Sequence, residues 1–322
     1  MRSGLLLLAV VLTGGIAGPS CQQEDHPLSS LLSKDLYEKA FPHHHAIYTY
    51  EALIKAAASF PLFAGEGDPV QRKRELAAFF AHIGHETANE GGPDEEGGGE
   101  KTAGSRSAAE EKAADSAAHI PSFDRRRDSG NMPRLRQTVN DGPSAEAPSA
   151  PYTWGLYYTE EQACLDGHCT QYNTAGTSPY QPVPGKSYHG RGPLQLTYAY
   201  NYGLAGEELG LPLLEKPELV SHDGVDAFRT ALWFWMKAQQ PKPSCHEIVC
   251  GQWQPTAEDL RLRRKPGFGM TINIINGGQE CATDAPERKD QREERIGYYK
   301  RMAALLQVSV EKDCDCADMT PY

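Results

Sequence analysis

The chain has 322 residues, of which 39% are hydrophobic and 23% charged, so it is long and apolar enough to bury a substantial core. Its 43 acidic and 32 basic residues give a formal net charge of -11. This charge disfavours binding to nucleic acid or to an anionic membrane surface, because both would repel the chain. Neutral or cationic partners are favoured instead.

The first 20 residues have the pattern of a secretory signal peptide. Arg2 precedes a short apolar run over residues 4–12, and small residues follow up to Ser20. A membrane-spanning helix would need about 20 apolar residues, and the glycines and Pro19 end this run earlier. We therefore expect an exported protein that is not held at a membrane after residues 1–20 are removed.

Export changes the interpretation of the eight cysteines, because disulfides are the default in an oxidising compartment. The candidates are Cys164, Cys169, Cys245, Cys250, Cys281, Cys314 and Cys316. Cys164 with Cys169, and Cys245 with Cys250, would each close a short loop. Cys281 would pair with either Cys314 or Cys316. A zinc site is the rival interpretation, but no Cys-x2-Cys pair is followed by a second such pair or by histidines at ligand spacing. The sequence predicts neither a metal nor a cofactor.

Helical periodicity begins at Ile47, after a polar N-terminal segment over residues 21–46. Thr49 is placed to cap a first helix that ends near residues 60–61. Asp68 and Pro69 open a second helix, because proline is tolerated in a first turn. Its apolar residues recur every three or four positions, which predicts one buried face. Glu86 then lies at the far end of this helix.

A change of composition interrupts the helical pattern at residues 88–150. This stretch is dominated by Gly, Glu, Ala, Ser, Pro, Asp and Arg. Its apolar residues are too sparse to offset the entropy of ordering the chain. We predict a disordered insertion there.

Order is predicted to return at residue 151. Helical stretches are expected at 194–209, 227–237 and 288–306, with long loops rich in Gly, Pro and Tyr between them. Helices outnumber strand-like runs, and no strand–helix alternation is present. The sequence predicts a mainly α catalytic domain over residues 47–316, interrupted by the insertion and followed by a tail at 317–322.

Glu86 and Glu161 are candidates for an acid–base pair. Hydrolysis of a glycosidic bond needs one protonated carboxyl for the leaving oxygen and one ionised carboxylate to activate water or attack the sugar. Glu86 ends an apolar helix and suits the acid, whereas Glu161 lies on a polar, tyrosine-rich loop and suits the base. The alternative is that both are ordinary structural glutamates. The aromatic residues between 152 and 188 suit a carbohydrate cleft, although tyrosines also simply cover loops.

Four motifs sharpen this interpretation. They are His-Glu-Thr at 85–87, Tyr-His-Gly-Arg-Gly-Pro-Leu-Gln-Leu at 188–196, Ala-Leu-Trp-Phe-Trp-Met at 231–236 and Asn-Ile-Ile-Asn-Gly-Gly at 273–278. Together they closely resemble the plant-type chitinases of glycoside hydrolase family 19, over about residues 47–87 and 150–316. The resemblance implies a bilobal, lysozyme-like, α-rich fold with a long cleft. It also implies hydrolysis of β-1,4 linkages between N-acetylglucosamine units, with inversion at the anomeric carbon.

The resemblance assigns roles by motif. It implies that Glu86 is the general acid and that Glu161, six residues after Gly155, is the general base. Thr197 stands where the family has a water-orienting serine. The other cleft positions are Gln195, Asn201, Asn276, Tyr188 and Lys242, and a supporting charge pair beside the acid is formed by Glu280 and Arg295. The implied partner is chitin or chitooligosaccharides, and we expect a monomer.

Two departures from the family pattern bear on the site and its disulfides. Residues 88–150 stand where the family has a short turn between acid and base, so we expect an effect on substrate length and rate more than on reaction type. Cys169 matches the start of a family disulfide, but Pro182 occupies its partner's position, and Cys164 is the substitute.

Three other functions stay open. One is a catalytically weak or silent chitin-binding protein on the same scaffold, since a fold does not determine activity; the presence of both Glu86 and Glu161 argues against it. Another is a peptidoglycan-directed hydrolase. The third is a metalloprotease, suggested by His82, His85 and Glu86, but zinc-binding helices of that class need the order His-Glu-x-x-His.

Overall fold

A computed structural model describes residues 26–89, 151–165, 169–174, 176–283 and 285–322. The predicted signal peptide and residues 90–150 of the predicted insertion lie outside these ranges. Within them, the regular structure consists of α-helices, two 3-10 helices and isolated β-bridges. The prediction of a mainly α fold is confirmed.

The described residues contain eleven α-helices. In chain order they are α1 (Pro27–Leu31), α2 (Lys34–Ala40), α3 (Tyr50–Ala57), α4 (Pro69–Glu86), α5 (Ala199–Leu209), α6 (Leu219–His222), α7 (Gly224–Met236), α8 (Cys245–Val249), α9 (Ala257–Arg261), α10 (Phe268–Glu280) and α11 (Pro286–Leu305). The two 3-10 helices are Gln162–Cys164 and Thr170–Tyr172. No described helix is both long and apolar enough to cross a bilayer.

The helix starts predicted from capping residues are confirmed. The Thr49 side chain accepts a hydrogen bond from the backbone of Ala52 at the start of α3. Asp68 caps α4 in the same way, with Pro69 in the first turn, and α4 ends at Glu86 as predicted. These caps are local interactions, so the sequence shows them directly.

Helix α4 is the central element of the fold. Every residue from Glu75 to Glu86 is buried, rather than the single face that its periodicity predicted. The reason is that α11 packs along α4, α8 covers a further side, and the backbone of Gly155 lies against Gly84. The side chain of Glu86 is therefore held in a rigid, largely dry environment.

Residues 26–46 belong to the core, which corrects their description as a separate polar segment. Leu28 in α1 and Tyr37 in α2 are fully buried, as are Leu32 and Phe41, the residues that directly follow the two helices. Serines follow Leu28 in α1, charged residues flank Tyr37 in α2, and both helices are short, so the sequence shows no clear helical period there. The domain therefore begins before residue 47.

The C-terminal residues 317–322 are also packed rather than a loose tail. Met319 is fully buried, and the Arg264 guanidinium lies 3.6 Å from the ring centroid of Tyr322. Arg264 Nε also donates to the carbonyl oxygen of Thr320 at 3.0 Å. This region of the chain is consequently part of the same domain.

Other helix boundaries differ from the predictions. Helix α5 begins at Ala199 rather than at 194, because Gln195 and Tyr198 have positive φ angles of 49° and 71° and form a turn. Helix α7 begins three residues early, at an Asp223 cap. Helices α6, α8 and α9 have five residues or fewer, too few to show a helical period in the sequence.

Two disulfides are present among the described residues, Cys164–Cys169 and Cys281–Cys316. They confirm the first predicted pair and decide for Cys316 over Cys314, which is a free thiol. The predicted Cys245–Cys250 pair is wrong, since both residues are free thiols. Five positions along a helix turn the side chains about 140° apart; Cys245 points into the core, whereas the Cys250 sulfur lies 3.5 Å from His246 Nδ1.

We expect the double variant Cys281→Ala/Cys316→Ala to lose about 3–4 kcal/mol of unfolding free energy, because this disulfide closes a loop with a sequence separation of 35. Cys314→Ala is the matched control and should lose less than about 1 kcal/mol, as it removes only a free thiol. Urea unfolding followed by circular dichroism measures both. Equal losses in the two variants would contradict the observed pairing.

Candidate active site

Thr87, at the end of α4, connects the segment that carries Glu86 to the segment that leads to Glu161. Its hydroxyl donates to Ile83 O at 2.5 Å and accepts from Leu156 N at 2.7 Å. Its carbonyl oxygen accepts from Tyr158 N at 3.0 Å. Glu161 follows Tyr158 by three residues, which span at most about 11 Å. The two candidate carboxylates therefore lie on directly connected segments.

The carboxylate of Glu86 is paired with Arg295 on α11. Arg295 Nη2 donates to Glu86 Oε1 at 2.5 Å, and the same guanidinium donates to both oxygens of Glu280 at 2.8–3.1 Å. All three side chains are buried. Burial alone would lower the pKa of Arg295, but the charges of Glu280 and Glu86 outweigh it and raise the pKa. One cation thus serves two carboxylates.

His82 completes this buried group, which we call the Arg295 cluster (His82, Glu86, Glu280 and Arg295). Burial, followed by the charges of Arg295 and His85, holds the pKa of His82 well below its usual value. The neutral ring accepts from Arg295 Nη1 through Nδ1 at 3.1 Å and donates through Nε2 to Thr271 Oγ1 at 2.8 Å. Both ring nitrogens are engaged, so His82 serves the cluster rather than a metal.

Asn276 lies beside the Arg295 cluster, at a point where α10 departs from helical geometry with φ −141°. Its Nδ2 donates to Glu280 Oε1 at 2.5 Å. Its Oδ1 is buried and has no hydrogen-bond partner among the described residues. Buried acceptors are normally hydrogen-bonded, so this oxygen is a candidate to accept a hydrogen bond from a bound ligand.

Glu161 lies in a different environment. Its backbone N donates to Gly190 O at 2.9 Å, and its Oε1 accepts from the Tyr172 hydroxyl at 3.1 Å. Burial first, and then the charge of Glu161, raises the pKa of Tyr172, so the phenol stays neutral and donates. A carboxylate oxygen of Glu161 and the sulfurs of Cys164 and Cys169 all lie within 4.8 Å of one another.

The neighbouring Glu160 has other partners. It accepts from His189 Nε2 at 2.9 Å and from Arg191 Nε at 3.1 Å. The hydrogen bond from His189 and the charge of Arg191 lower the pKa of Glu160, against the opposing effect of burial. Glu160 therefore forms an ion pair that holds the loop, and the adjacent Glu161 is directed elsewhere.

Thr197 and Gln195 lie at the same backbone turn as Glu161. A Cβ atom on Gly190 would stand 2.8 Å from Gln195 Oε1 and 3.3 Å from Thr197 Oγ1, and Gly190 O is the acceptor for Glu161 N. Asn201 Nδ2 donates to Thr197 O at 2.9 Å. Asn201 Oδ1 is a second buried acceptor without a partner in the described part of the chain.

Tyr188 and Lys242 lie apart from this turn. Tyr188 is fully buried, and its hydroxyl donates to Leu214 O and accepts from Val183 N, both at 2.8 Å. Lys242 Nζ donates to Ile274 O at 3.3 Å, two residues before Asn276. Burial lowers the pKa of Lys242. The structure thus brings Lys242 to the Asn276 side and places Tyr188 inside a hydrophobic cluster.

A second group of potential metal ligands lies away from these residues. Glu66, His246 and Cys250 have ligand atoms within 4.8 Å of one another. His246 donates to Glu75 at 2.6 Å and to Glu66 at 2.9 Å. Burial would lower the pKa of His246, but hydrogen bonds to Cys250 and Glu75 raise it to about 11. The ring is an imidazolium between two carboxylates. The group of Glu66, His246 and Cys250 is therefore explained as an ion-paired network without a metal ion.

Comparison with known proteins gives the family. The profile of the family described as "Chitinase class I" matches residues 30–132 and 134–316. The chain belongs to this family. Similar proteins include "Endochitinase" of Persea americana, 35% identical over 325 residues (96% of this chain, 81% of that protein). "Inactive chitinase-like protein 1" of Hevea brasiliensis is 37% identical over 303 residues (92% of this chain, 77% of that protein).

A solved structure of a bacterial family 19 chitinase superposes with a TM-score of 0.58 at 27% identity, covering 89% of this chain and 100% of that one. The family 19 resemblance and the lysozyme-like, mainly α fold are thereby confirmed. As a member of this family, the chain is a glycoside hydrolase of the chitinase type. The match begins at residue 30, in agreement with the packing of α1 and α2 on the core.

We expect Arg295→Met to lower the free energy of unfolding by about 3–5 kcal/mol, because it leaves two buried carboxylates without their cation. Removal of one carboxylate as well, in Arg295→Met/Glu280→Met, should restore part of this loss. Urea unfolding at pH 7 measures both. Arg261→Met, which breaks an exposed ion pair, is the control and should change little. A double variant less stable than the single one would contradict this account.

The lowered pKa of Glu160 predicts a pH-dependent contribution to stability. A carboxylate whose pKa falls on folding stabilises the protein above its unfolded pKa, and this contribution is lost as pH falls through the folded value. Glu160→Gln should therefore be less stable than the parent at pH 7, and the difference should shrink below about pH 4.5. Thermal unfolding from pH 7 to pH 3 measures it. The exposed Glu258→Gln should differ little from the parent throughout.

Proposed function

We propose that this chain is a secreted endochitinase that hydrolyses β-1,4 linkages between N-acetylglucosamine units with inversion at the anomeric carbon. The observation that carries the proposal is the contrast between two carboxylates on connected segments. Glu86 shares one buried cation with Glu280, and Glu161 accepts from a neutral tyrosine hydroxyl. Different surroundings are what an acid–base pair needs.

Glu86 suits the general acid because of the charge count in the Arg295 cluster. One guanidinium faces two carboxylates and His82 is neutral, so the cluster accepts one proton at little electrostatic cost. Glu280 receives three of the Arg295 hydrogen bonds and is fully buried, whereas Glu86 receives one. Glu86 is therefore the carboxyl better placed to hold the proton and deliver it to a leaving oxygen.

Glu161 suits the general base. The hydrogen bond from Tyr172 favours its ionised form, which can take a proton from water. Glu161 N donates to Gly190 O, and the Thr197 hydroxyl lies next to Gly190. This proximity is in keeping with a water-orienting role for Thr197. Inverting enzymes keep the two carboxyl groups about 6.5–9.5 Å apart to admit that water.

Two buried acceptors support an amide-bearing sugar as substrate. Asn276 Oδ1 lies beside the acid, and Asn201 Oδ1 lies next to Thr197 near the base. An N-acetylglucosamine unit offers hydroxyl and acetamide N–H donors for such acceptors. The N-terminal leader pattern and the two disulfides support secretion.

A silent chitin-binding protein is the second candidate. It is favoured by the similarity to a protein named as an inactive chitinase-like protein. The presence of Glu86 with its cation and of Glu161 with its donor favours the active enzyme. A peptidoglycan-directed hydrolase is the third candidate and uses the same two roles on a related polymer.

The test is hydrolysis of chitin hexamer, with the anomeric ratio of fresh products read by proton NMR. We expect mainly α products from the parent protein. Glu86→Gln and Glu161→Gln should each lose at least about 10²-fold in kcat, as for removal of a general acid or base. Glu160→Gln is the matched neighbour and should retain activity within about tenfold when measured on folded protein.

Three outcomes would contradict the proposal in different ways. Mainly β products would rule out inversion. A folded parent protein that binds the hexamer without cleaving it would favour the silent candidate. Cleavage of peptidoglycan fragments without cleavage of the hexamer would favour the third.

A further inference from the structure

We propose that Tyr172, held in place by the Cys164–Cys169 disulfide, is a positioning residue that keeps the Glu161 carboxylate ionised and fixes its orientation. The inference rests on the proposed function of Glu161 as the base. We call the group of Glu161, Cys164, Cys169 and Tyr172 the base clamp. It adds to the reaction a residue that acts through Glu161 and not on the sugar.

The base clamp is built from two very short helices. Glu161 is the N-cap of the 3-10 helix Gln162–Cys164, and Tyr172 is the last residue of the 3-10 helix Thr170–Tyr172. The disulfide joins the last residue of the first helix to the N-cap of the second, across a sequence separation of 5. Single 3-10 turns have little stability of their own. The covalent bond therefore holds the donor and the acceptor in one frame.

The packing around the disulfide supports this role. Cys164, Cys169 and Tyr172 are buried in a small hydrophobic cluster separate from the two larger ones. The ring of Tyr198 packs edge-on against Tyr172, with centroids 5.3 Å apart. Tyr172 is 8% exposed, so most of its surface faces this cluster. Its hydroxyl reaches Glu161 Oε1, and this is the chemical use that the structure shows for it.

The charges near Glu161 leave Tyr172 an effective donor. Glu160, the adjacent acid, is already paired with Arg191 and hydrogen-bonded to His189. Burial first, then the charge and hydrogen bond of Glu161 and the nearby Tyr198, raise the pKa of Tyr172, against a smaller opposing effect of the Gln171 side chain. A neutral hydroxyl that donates to a carboxylate stabilises the ionised form.

The base clamp also departs from the family pattern that the resemblance implies. The family resemblance places the partner of Cys169 at position 182, and Pro182 stands there. The structure shows Cys164 as the partner instead. The sulfurs of this substitute disulfide lie within 4.8 Å of a Glu161 carboxylate oxygen. The departure from the family pattern is therefore located directly beside the proposed base.

The experiment is a carbon-13 NMR titration of the glutamate carboxyl groups in the full-length protein, with the Glu161 signal assigned by its loss in Glu161→Gln. In Tyr172→Phe we expect the titration midpoint of Glu161 to rise by about one pH unit, the typical effect of a lost hydrogen bond to a charged group. Tyr322→Phe is the matched control, because it removes a hydroxyl that donates to the Asp259 carboxylate at 3.3 Å. It should leave the Glu161 midpoint unchanged.

Activity gives an independent reading. The acidic limb of kcat/KM for chitin hexamer should move upward in Tyr172→Phe by the same amount, and KM should change by less than about twofold, because a buried positioning residue does not bind the sugar. A midpoint within about 0.2 pH units of the parent would overturn the inference. If the parent protein fails to cleave the hexamer, the proposed function fails, and the NMR titration still decides the role of Tyr172.

The part played by the disulfide is tested by Cys164→Ser/Cys169→Ser. We expect the Glu161 midpoint to rise in this variant also. Tyr172→Phe should then add a smaller rise in this background than in the parent, because the two changes act through the same contact. Fully additive rises would show that the disulfide does not act through Tyr172 and would overturn that part of the inference.

Discussion

The guanidinium of Arg295 is the interaction on which the rest of the site depends. It joins α11 to Glu86 at the end of α4 and to Glu280 at the end of α10, with all three side chains buried. Desolvation of these charges is costly and is offset only by close, well-aligned hydrogen bonds. The three helices are therefore held in the relative positions that make those bonds, and the acid cannot move independently of the core.

The two carboxylates are supported in opposite ways. Glu86 ends α4, a helix in which every residue from Glu75 to Glu86 is buried. Glu161 lies on a loop whose regular structure is two three-residue 3-10 helices joined by a disulfide. Thr87 connects the two, because its hydroxyl and its carbonyl oxygen accept hydrogen bonds from backbone N–H groups in the segment before Glu161. The acid thus takes its position from the core, and the base takes its position from a local covalent frame.

The failures of sequence reasoning have identifiable causes. The caps of α3 and α4 were predictable because a capping side chain bonds only to its immediate neighbours. The sequence does not reveal α1 and α2 because both are short: serines separate the two leucines of α1, and charged residues separate the apolar residues of α2. The Cys245–Cys250 pairing was wrong because nearness in sequence does not bring two side chains together when a helix turns them apart.

By itself, the sequence determined the family, the helical character, the start of α4 at Asp68 and the two glutamates worth testing, since these depend on motifs and on neighbours along the chain. The family resemblance already placed Arg295 and Glu280 beside Glu86, but only the tertiary structure decided which atoms meet there and which group donates to Glu161. Arg295 lies 209 residues from Glu86 and Tyr172 lies 11 from Glu161, and no local rule connects either pair. Packing of the buried helices α4 and α11 brings Arg295 to Glu86, and the Cys164–Cys169 disulfide brings Tyr172 to Glu161. Both contacts exist only once the chain is folded.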